Sequence, residues 1–372
     1  MKFHIVKREN CSLWKKCALY VGAVLLALGM GAVLLMSLGV DPIAYYTRMF
    51  TMGTIGNKIA YKVYINYLKD FVPLVLTSVA LSLAFKMRFW NIGGEGQFIL
   101  GAIAAAFVAF QAGPVLPNGA TLVLMCLAAM LVAGLYGVFV AALKVKFGTN
   151  ETLMTLMLNY VALYILIYLG EAKAEWNFFL DEASVRPVFA SFAKIVSFPS
   201  IPMAGKFSLN ICVILTFLVG IGMYIYLKYT KHGYEISVVG DSAGTARYAG
   251  MKVNTIVLRT VFLSAALVGL AAAFKVGTAG ILSTAITDDV GWTGIIVAWL
   301  SQLNTVVIFV VSALICVLHY GSTVAAATFA QVDSSFANML QGAILFLVLA
   351  ADFFTRFRVL AVKKGGKDNG NG

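Results

Sequence analysis

Apolar runs separated by short polar segments recur along the chain and predict ten membrane-crossing helices. They fall near residues 17 to 38, 71 to 88, 97 to 113, 121 to 143, 152 to 170, 208 to 228, 258 to 276, 291 to 302, 304 to 323 and 337 to 355. A helix rises 1.5 Å per residue and needs about 20 apolar residues to cross the hydrocarbon core. The run at 291 to 302 is too short for that, which predicts either a segment tilted together with its loop or a broken helix. Within this pattern one stretch stands apart: Phe89-Trp90-Asn91-Ile92-Gly93-Gly94-Glu95-Gly96-Gln97 places three glycines, an acid and two amides between hydrophobic segments. Irregular backbone at membrane depth survives only where it is buried in protein or lines a polar cavity. The stretch therefore reads as part of a transport path or, in the plainer alternative, as a turn ending a helix.

Composition agrees with a polytopic membrane protein: 61% of the 372 residues are hydrophobic and 12% charged, with a mean hydropathy of +0.89. The net charge of +12 invites a nucleic-acid partner, but most Lys and Arg flank apolar runs instead of forming a solvated basic face, and nucleic acid is set aside. Membrane topology accounts for the charge. With the N-terminus inside, inner segments hold 19 Lys and Arg against 7 acids, and outer segments hold 9 of each. The positive excess is wholly on one side, which predicts an even number of spans and two cytoplasmic termini. Lys2, Lys7, Arg8, Lys15 and Lys16 precede the first run, which is longer than a signal-peptide core and reads as an uncleaved anchor. The expected organisation is a cytoplasmic tail over 1–16, a transmembrane domain over 17–355 and a second cytoplasmic tail over 356–372.

Two outer segments are long. Residues 39 to 70 interleave Tyr45, Tyr46, Tyr61, Tyr64 and Tyr67 with Arg48, Lys58, Lys62 and Lys69, which predicts an aromatic, basic helix at the interface. Residues 171 to 207 contain Glu171, Glu175, Asp181 and Glu182 and are broken by Pro187, Pro199 and Pro202, as in a connecting loop or a surface for an outer partner. The longest inner segment, 229–257, holds Gly240, Asp241, Ser242, Ala246, Arg247 and Gly250, and predicts a short helix capped by Asp241 or Ser242 and stopped by Gly250. It reads as a plain loop helix at the membrane surface or as one that fits a groove on another protein.

Polar residues within spans are costly without partners or water, which makes them the candidate site. Gly148-Thr149-Asn150-Glu151 offers a helix start, and Glu151, Thr155 and Asn159 follow at i, i+4 and i+8, on one face. Their alternatives are path lining and interhelical hydrogen-bond glue. Ser334, Asn338 and Gln341 suggest a similar stripe on the last span. Asp288-Asp289-Val290-Gly291-Trp292-Thr293-Gly294 forms a second glycine-bearing break, one in each half of the chain, which points weakly to a duplicated transport fold. The five cysteines have no C-x-x-C spacing and none lies in an outer loop, and the three histidines are isolated, so neither disulfides nor a metal site is expected. No G-x-x-x-x-G-K-[ST] phosphate loop and no nucleophile with a base is present, so the chain reads as a non-enzyme, and any ATP hydrolysis belongs to another subunit.

Asn91-Ile92-Gly93-Gly94-Glu95-Gly96-Gln97, Gly148-Thr149-Asn150-Glu151, Thr155-Leu156-Met157-Leu158-Asn159-Tyr160, Tyr248-Ala249-Gly250-Met251 and Gly291-Trp292-Thr293-Gly294-Ile295-Ile296-Val297-Ala298 together resemble the ABC importer permease family. Its members include nucleoside permeases and, more distantly, ribose and branched-chain amino-acid permeases. The likeness extends in order over residues 71 to 355, and the first and third motifs resemble the nucleoside branch. It implies an all-α, type II ABC importer permease fold, multi-pass in the bacterial inner membrane. It further implies a second permease copy or a related permease, cytoplasmic ATPase subunits that bind ATP and Mg, and an extracytoplasmic substrate-binding lipoprotein, with no cofactor in this chain. The stretch from Gly240 to Gly250 would be the coupling helix. Three departures bear on that docking: Asp241 stands where Asn is usual, Arg247 where a second Ala is usual, and Ser301-Gln302-Leu303-Asn304-Thr305 replaces a basic, proline-containing turn. On this pattern Asn91, Glu95, Gln97, Glu151, Thr155, Asn159, Trp292 and Thr293 are the expected substrate path. Phe89, Trp90, Tyr160, Trp292 and Trp299 lie beside these motifs, and their rings would either stack on a base or face lipid and the interface. The expected solute is neutral, with a purine nucleoside ahead of a simple sugar or a flavin-like compound. The competing class is an ion-coupled secondary transporter using Glu95, Glu151 or Asp352.

Overall fold

The computed structural model describes residues 2–7, 12–193, 196–203, 206–329, 331–333 and 335–362. It is an all-α multi-pass membrane protein. In chain order its elements are β1 (Lys2–Lys7), α1 (Leu13–Ser37), α2 (Pro42–Phe50), α3 (Ala60–Lys86), α4 (Gly94–Ala112), α5 (Asn118–Phe147) and α6 (Glu151–Glu171). After these come β2 (Ser200–Pro202), β3 (Ser208–Asn210), α7 (Ile211–Tyr229), α8 (Lys231–Asp241), α9 (Ala243–Tyr248), α10 (Val253–Ala279), α11 (Val290–Leu300), α12 (Thr305–Ala326), α13 (Ser335–Arg356) and β4 (Phe357–Val362). Among the described residues nine helices are long and apolar enough to cross a membrane. Their starts follow from local chemistry: Asn150 Oδ1 accepts from the Thr152 amide at 3.0 Å, and Asn210 Oδ1 from the Cys212 amide at 2.9 Å, each satisfying a donor the first helical turn leaves open.

The chain forms two compact units, residues 1–56 with 317–372, and residues 57–316. In the first, β1 and β4 pair antiparallel, Lys2 opposite Val362 and Lys7 opposite Phe357, so the segments before α1 and after α13 lie on the same side. A shorter apolar helix, α11, has 11 residues and rises about 16 Å, less than the hydrocarbon core of a bilayer. In the first unit, α1 packs along α13, and the Tyr20 hydroxyl donates to Asp352 at 2.8 Å.

Two expectations are corrected here. Residues 39 to 70 do not form one interfacial helix: α2 is short, its Tyr45 is fully buried with its hydroxyl 2.7 Å from Ser322 Oγ, and Tyr61, Tyr64 and Tyr67 belong to α3. That helix starts well before residue 71 because its polar residues find partners on other helices. The Tyr67 hydroxyl donates to the Ala313 carbonyl at 3.0 Å, and Asp70 accepts from Lys275 at 2.8 Å. The stripe expected on the last span also does not form. Ser334 lies outside the described residues, Gln341 is buried and Asn338 is exposed, because the step between the latter two crosses from the lipid side of α13 to its packed side.

In the second unit α10 packs against α3, α4 and α5. Small residues let the backbones approach: Gly101 lies on Gly269, and a side chain on Gly269 would strike the Ala129 carbonyl. The Ser264 hydroxyl closes α10 onto α3 by donating to the Ala80 carbonyl at 2.7 Å.

A buried polar junction and an exposed helical elbow

After α3 the chain turns back on itself, with the Phe89 amide donating to the Ala84 carbonyl at 3.0 Å. The following polar residues are buried and bonded to one another. Asn91 and Gln97 exchange two side-chain hydrogen bonds, 3.2 and 3.1 Å, and Asn91 Oδ1 also accepts from the Gly93 amide at 3.1 Å. Thr155 and Asn159 of α6 complete the stitching. Thr155 Oγ1 accepts from the Ile92 amide at 3.2 Å, Asn159 Oδ1 from the Gly96 amide at 2.8 Å, and Asn159 Nδ2 donates to the Ile92 carbonyl at 2.9 Å. The backbone groups freed by the break thus find side-chain partners, as burial away from water demands. Gly96 is required for this approach, since a Cβ there would lie 2.9 Å from Asn159 Oδ1 and 3.1 Å from its Cα.

Glu95 joins this junction to the second break. Its Oε2 accepts from the Gly291 amide at 2.8 Å, with the Thr287 hydroxyl and the Trp292 amide nearby. It therefore caps α11 from a different helix. The cap position of α11 itself, Asp289, has φ +55 and makes no side-chain cap bond. An acid at a helix N-terminus satisfies open amides and faces the positive end of the helix dipole. The two glycine-bearing breaks, one per half of the sequence, are in direct contact: a Cβ on Gly291 would strike the backbone of Glu95.

Glu151 stands apart from Thr155 and Asn159. It pairs with Lys144, whose Nζ lies 4.9 Å from the centre of the Phe89 ring, so it ties the end of α5 to the start of α6. Trp292 and Thr293 are half-buried in the first turns of α11, and the Thr293 amide bonds to the Asp289 carbonyl at 2.9 Å. At the other end of α11 Trp299 stacks on Trp90, centroids 5.2 Å apart at 15°. Thr287 and the Asp70–Lys275 pair were not singled out in the sequence. The signal for the pair was Lys275 near the end of an apolar run.

The inner segment folds as an elbow. Ser242 makes the cap of α9, its Oγ accepting from the Thr245 amide at 3.2 Å, and Gly250 stops it with φ +75. Arg247 and Asp241 are exposed and Tyr248 is 97% exposed, whereas Ala246 is fully buried under α9. Gly240 is wedged on the Lys86 carbonyl, with no room for a side chain. Glu235 of α8 accepts from Arg259 at 2.8 Å and lies 3.4 Å from His232. The Arg259 guanidinium, followed by His232, holds the Glu235 carboxyl below the usual range against the opposing effect of burial.

Residues 63–349 match the family described as "Branched-chain amino acid transport system / permease component". The glucose ABC transporter permease protein TsgB13 of Haloferax volcanii is 29% identical over 370 residues, covering 97% of this chain and 94% of that protein. The guanosine ABC transporter permease protein NupP of Bacillus subtilis is 28% identical, covering 92% of this chain and 96% of its own length. The nucleoside ABC transporter permease protein NupB of Lactococcus lactis subsp. cremoris is 25% identical, covering 81% and 82%.

Proposed function

We propose, from the premise that this chain belongs to the branched-chain amino acid transport system / permease component family of ABC permeases, that it is the membrane subunit of an importer for a purine nucleoside. It works in the bacterial inner membrane beside a second permease. A separate cytoplasmic ATPase binds ATP with Mg, and an outer lipoprotein delivers the solute. The observation that carries the ATP-driven reading is the elbow of α8 and α9. Its base is fixed to the bundle by Gly240 on the Lys86 carbonyl and by Glu235 with Arg259, while Arg247 and Tyr248 project from its tip. A rigid, exposed lever of this kind lets a partner bias two states of the membrane bundle by binding one of them more tightly.

The substrate reading rests on chemistry common to the relatives. Guanosine, nucleosides and glucose are the solutes in their names, and all are hydroxylated rings without a carboxylate. The junction around Asn91, Glu95, Gln97, Thr155 and Asn159 is made of amides, a hydroxyl and an acid bonded to one another and to backbone, and no Lys or Arg among the residues bonded there would grip an amino-acid carboxylate. The Trp90–Trp299 stack offers an aromatic face for a base. A sugar is the second reading, favoured by the glucose permease of Haloferax volcanii. The deciding measurement is uptake of labelled guanosine in cells expressing the complete transporter, with unlabelled inosine, adenosine, glucose and leucine as competitors. Competition by the nucleosides alone is expected; competition by glucose or leucine without any by nucleosides overturns the assignment.

A further inference from the structure

Three spans of the 57–316 unit end together on the cytoplasmic side: α3 at Lys86, α7 at Tyr229, and α12 with its first residue Thr305. A groove of about 650 Å³ lies between these ends and α8. Because membrane spans terminate on it, it sits at the level of the lipid headgroups. Lys86 and Lys228 both line it, and no carboxylate among the described residues does. Glu235 of α8 is already engaged by Arg259 and His232. Lys228 is held in place, donating to the Tyr224 hydroxyl at 2.9 Å and lying 5.4 Å from the Tyr229 ring centre. The N-terminus of α12 opens on the same groove. Asn304 lines it and accepts from the Val306 amide at 3.0 Å, which puts the positive end of a 22-residue helix beside the two ammonium groups.

An apolar bed runs from the groove into the membrane. Leu218, Ile221 and Ile225 form an exposed stripe on α7 that leads down to Lys228, and Val306, Val310 and Leu314 form one on α12 that leads away from Thr305. The two helices meet where the Phe309 ring lies on Gly220. We propose that this groove binds an anionic phospholipid, its phosphate between Lys86, Lys228 and the first turn of α12 and its acyl chains along α7 and α12. A zwitterionic headgroup would bring a quaternary or primary ammonium to a groove that already holds two cations and lines no acid. A free phosphate would leave the apolar stripes unused. Basic pockets between spans on the cytoplasmic side are the expected form of such a site.

The test is native mass spectrometry of the full chain purified in detergent, loaded with an equimolar mixture of dioleoyl phosphatidylglycerol and dioleoyl phosphatidylcholine. The parent is expected to retain one phosphatidylglycerol in preference to phosphatidylcholine. Removing both charges in Lys86→Gln/Lys228→Gln is expected to weaken that retention about 30-fold, roughly fivefold per lysine. Lys86→Arg/Lys228→Arg keeps the charge and is expected to keep the lipid, as is Lys58→Gln/Lys62→Gln on the outer side. The Arg pair guards against misfolding, because a groove that merely needs lysine for packing loses the lipid in both double variants. Equal retention of the two lipids, unchanged retention in the double Gln variant, or displacement by millimolar inorganic phosphate overturns the proposal. So does expulsion of the lipid by the ATPase subunit coupled with failure of the double Gln variant to bind that subunit, which would make the groove a protein-docking face.

Discussion

Replacing Glu95 separates a capping role from an incidental turn, because its carboxyl group accepts from a backbone amide in the first turn of a different helix. In Glu95→Ala the Gly291 amide loses its acceptor at a site where the residue is 8% exposed. A buried donor without a partner costs about 1–3 kcal/mol, a sizeable part of the roughly 5–15 kcal/mol that holds a typical domain folded. Glu95→Gln keeps an acceptor oxygen for that amide and loses only the charge facing the positive end of α11, a loss of about 0.3–1 kcal/mol. The order of heat resistance is therefore expected to be parent, then Gln, then Ala, read as the fraction still monodisperse by gel filtration after heating in detergent. Uptake of labelled solute in the same variants shows whether the losses track. An alanine variant as heat-resistant as the parent, or a glutamine variant as damaged as the alanine one, refutes the capping argument. Normal heat resistance with no uptake in Glu95→Gln would move the acid from holding α11 to a direct part in transport.

Gly240→Ala forces a Cβ against the Lys86 carbonyl and is expected to lose about 1–3 kcal/mol by overpacking, whereas Gly342→Ala, with open space around it, is expected to be neutral or to gain up to about 1 kcal/mol of helix propensity; heat resistance of the two distinguishes them. Arg247→Glu with Tyr248→Ala, both on the exposed tip of α9, is expected to leave the chain folded and to reduce co-purification with the ATPase, and undiminished capture argues against the elbow as its dock. Glu235 has a lowered folded pKa, so its pairing with Arg259 stabilises the protein above the free carboxyl value of about 4.3 and is lost as pH falls through the folded value. Heat resistance measured from pH 7 down to pH 3 should show a steeper acid decline in the parent than in Glu235→Gln, and identical declines count against it.

Most of the spans and the two glycine-bearing breaks were legible because lipid imposes a simple rule, apolar outside and backbone paired within. Ser242 as a cap, Gly250 as a stop and Asn150 as a helix start followed from local chemistry alone. What the residues did not reveal was pairing at a distance. Glu95 and Gly291 are 196 positions apart, and no periodicity connects them. Asp70 read as the edge of a loop because its partner Lys275 is 205 positions away; with the partner in view, α3 continues outward past it. Ala246 looked like a docking residue because it is small and lies in an exposed segment, but smallness there serves the packing of α9 onto its own unit. A bulky substitution at Ala246 would therefore disturb the elbow before it tested any partner, and Arg247 and Tyr248 are the better probes.

The same distinction bears on what a polar residue inside a membrane signifies. Asn91, Glu95, Gln97, Thr155 and Asn159 attract notice because amides and acids are costly in lipid, and the structure accounts for each by a hydrogen bond to a neighbouring side chain or backbone group. The fully buried hydroxyls of Thr77 and Ser312, by contrast, make no hydrogen bond among the described residues, and neither is conspicuous in the sequence because a hydroxyl in a helix usually bonds back to its own turn at little cost. Thr77 lies against Gly294, one turn along α11 from the position that Glu95 caps. Groups that are visibly expensive tend to arrive already partnered, since a span carrying them unpaired would not be stable. A passing solute can exchange bonds more cheaply with a group whose loss of a partner costs little, and Thr77, against α11 one turn from the amide from which Glu95 accepts, is such a group, with no hydrogen bond among the described residues.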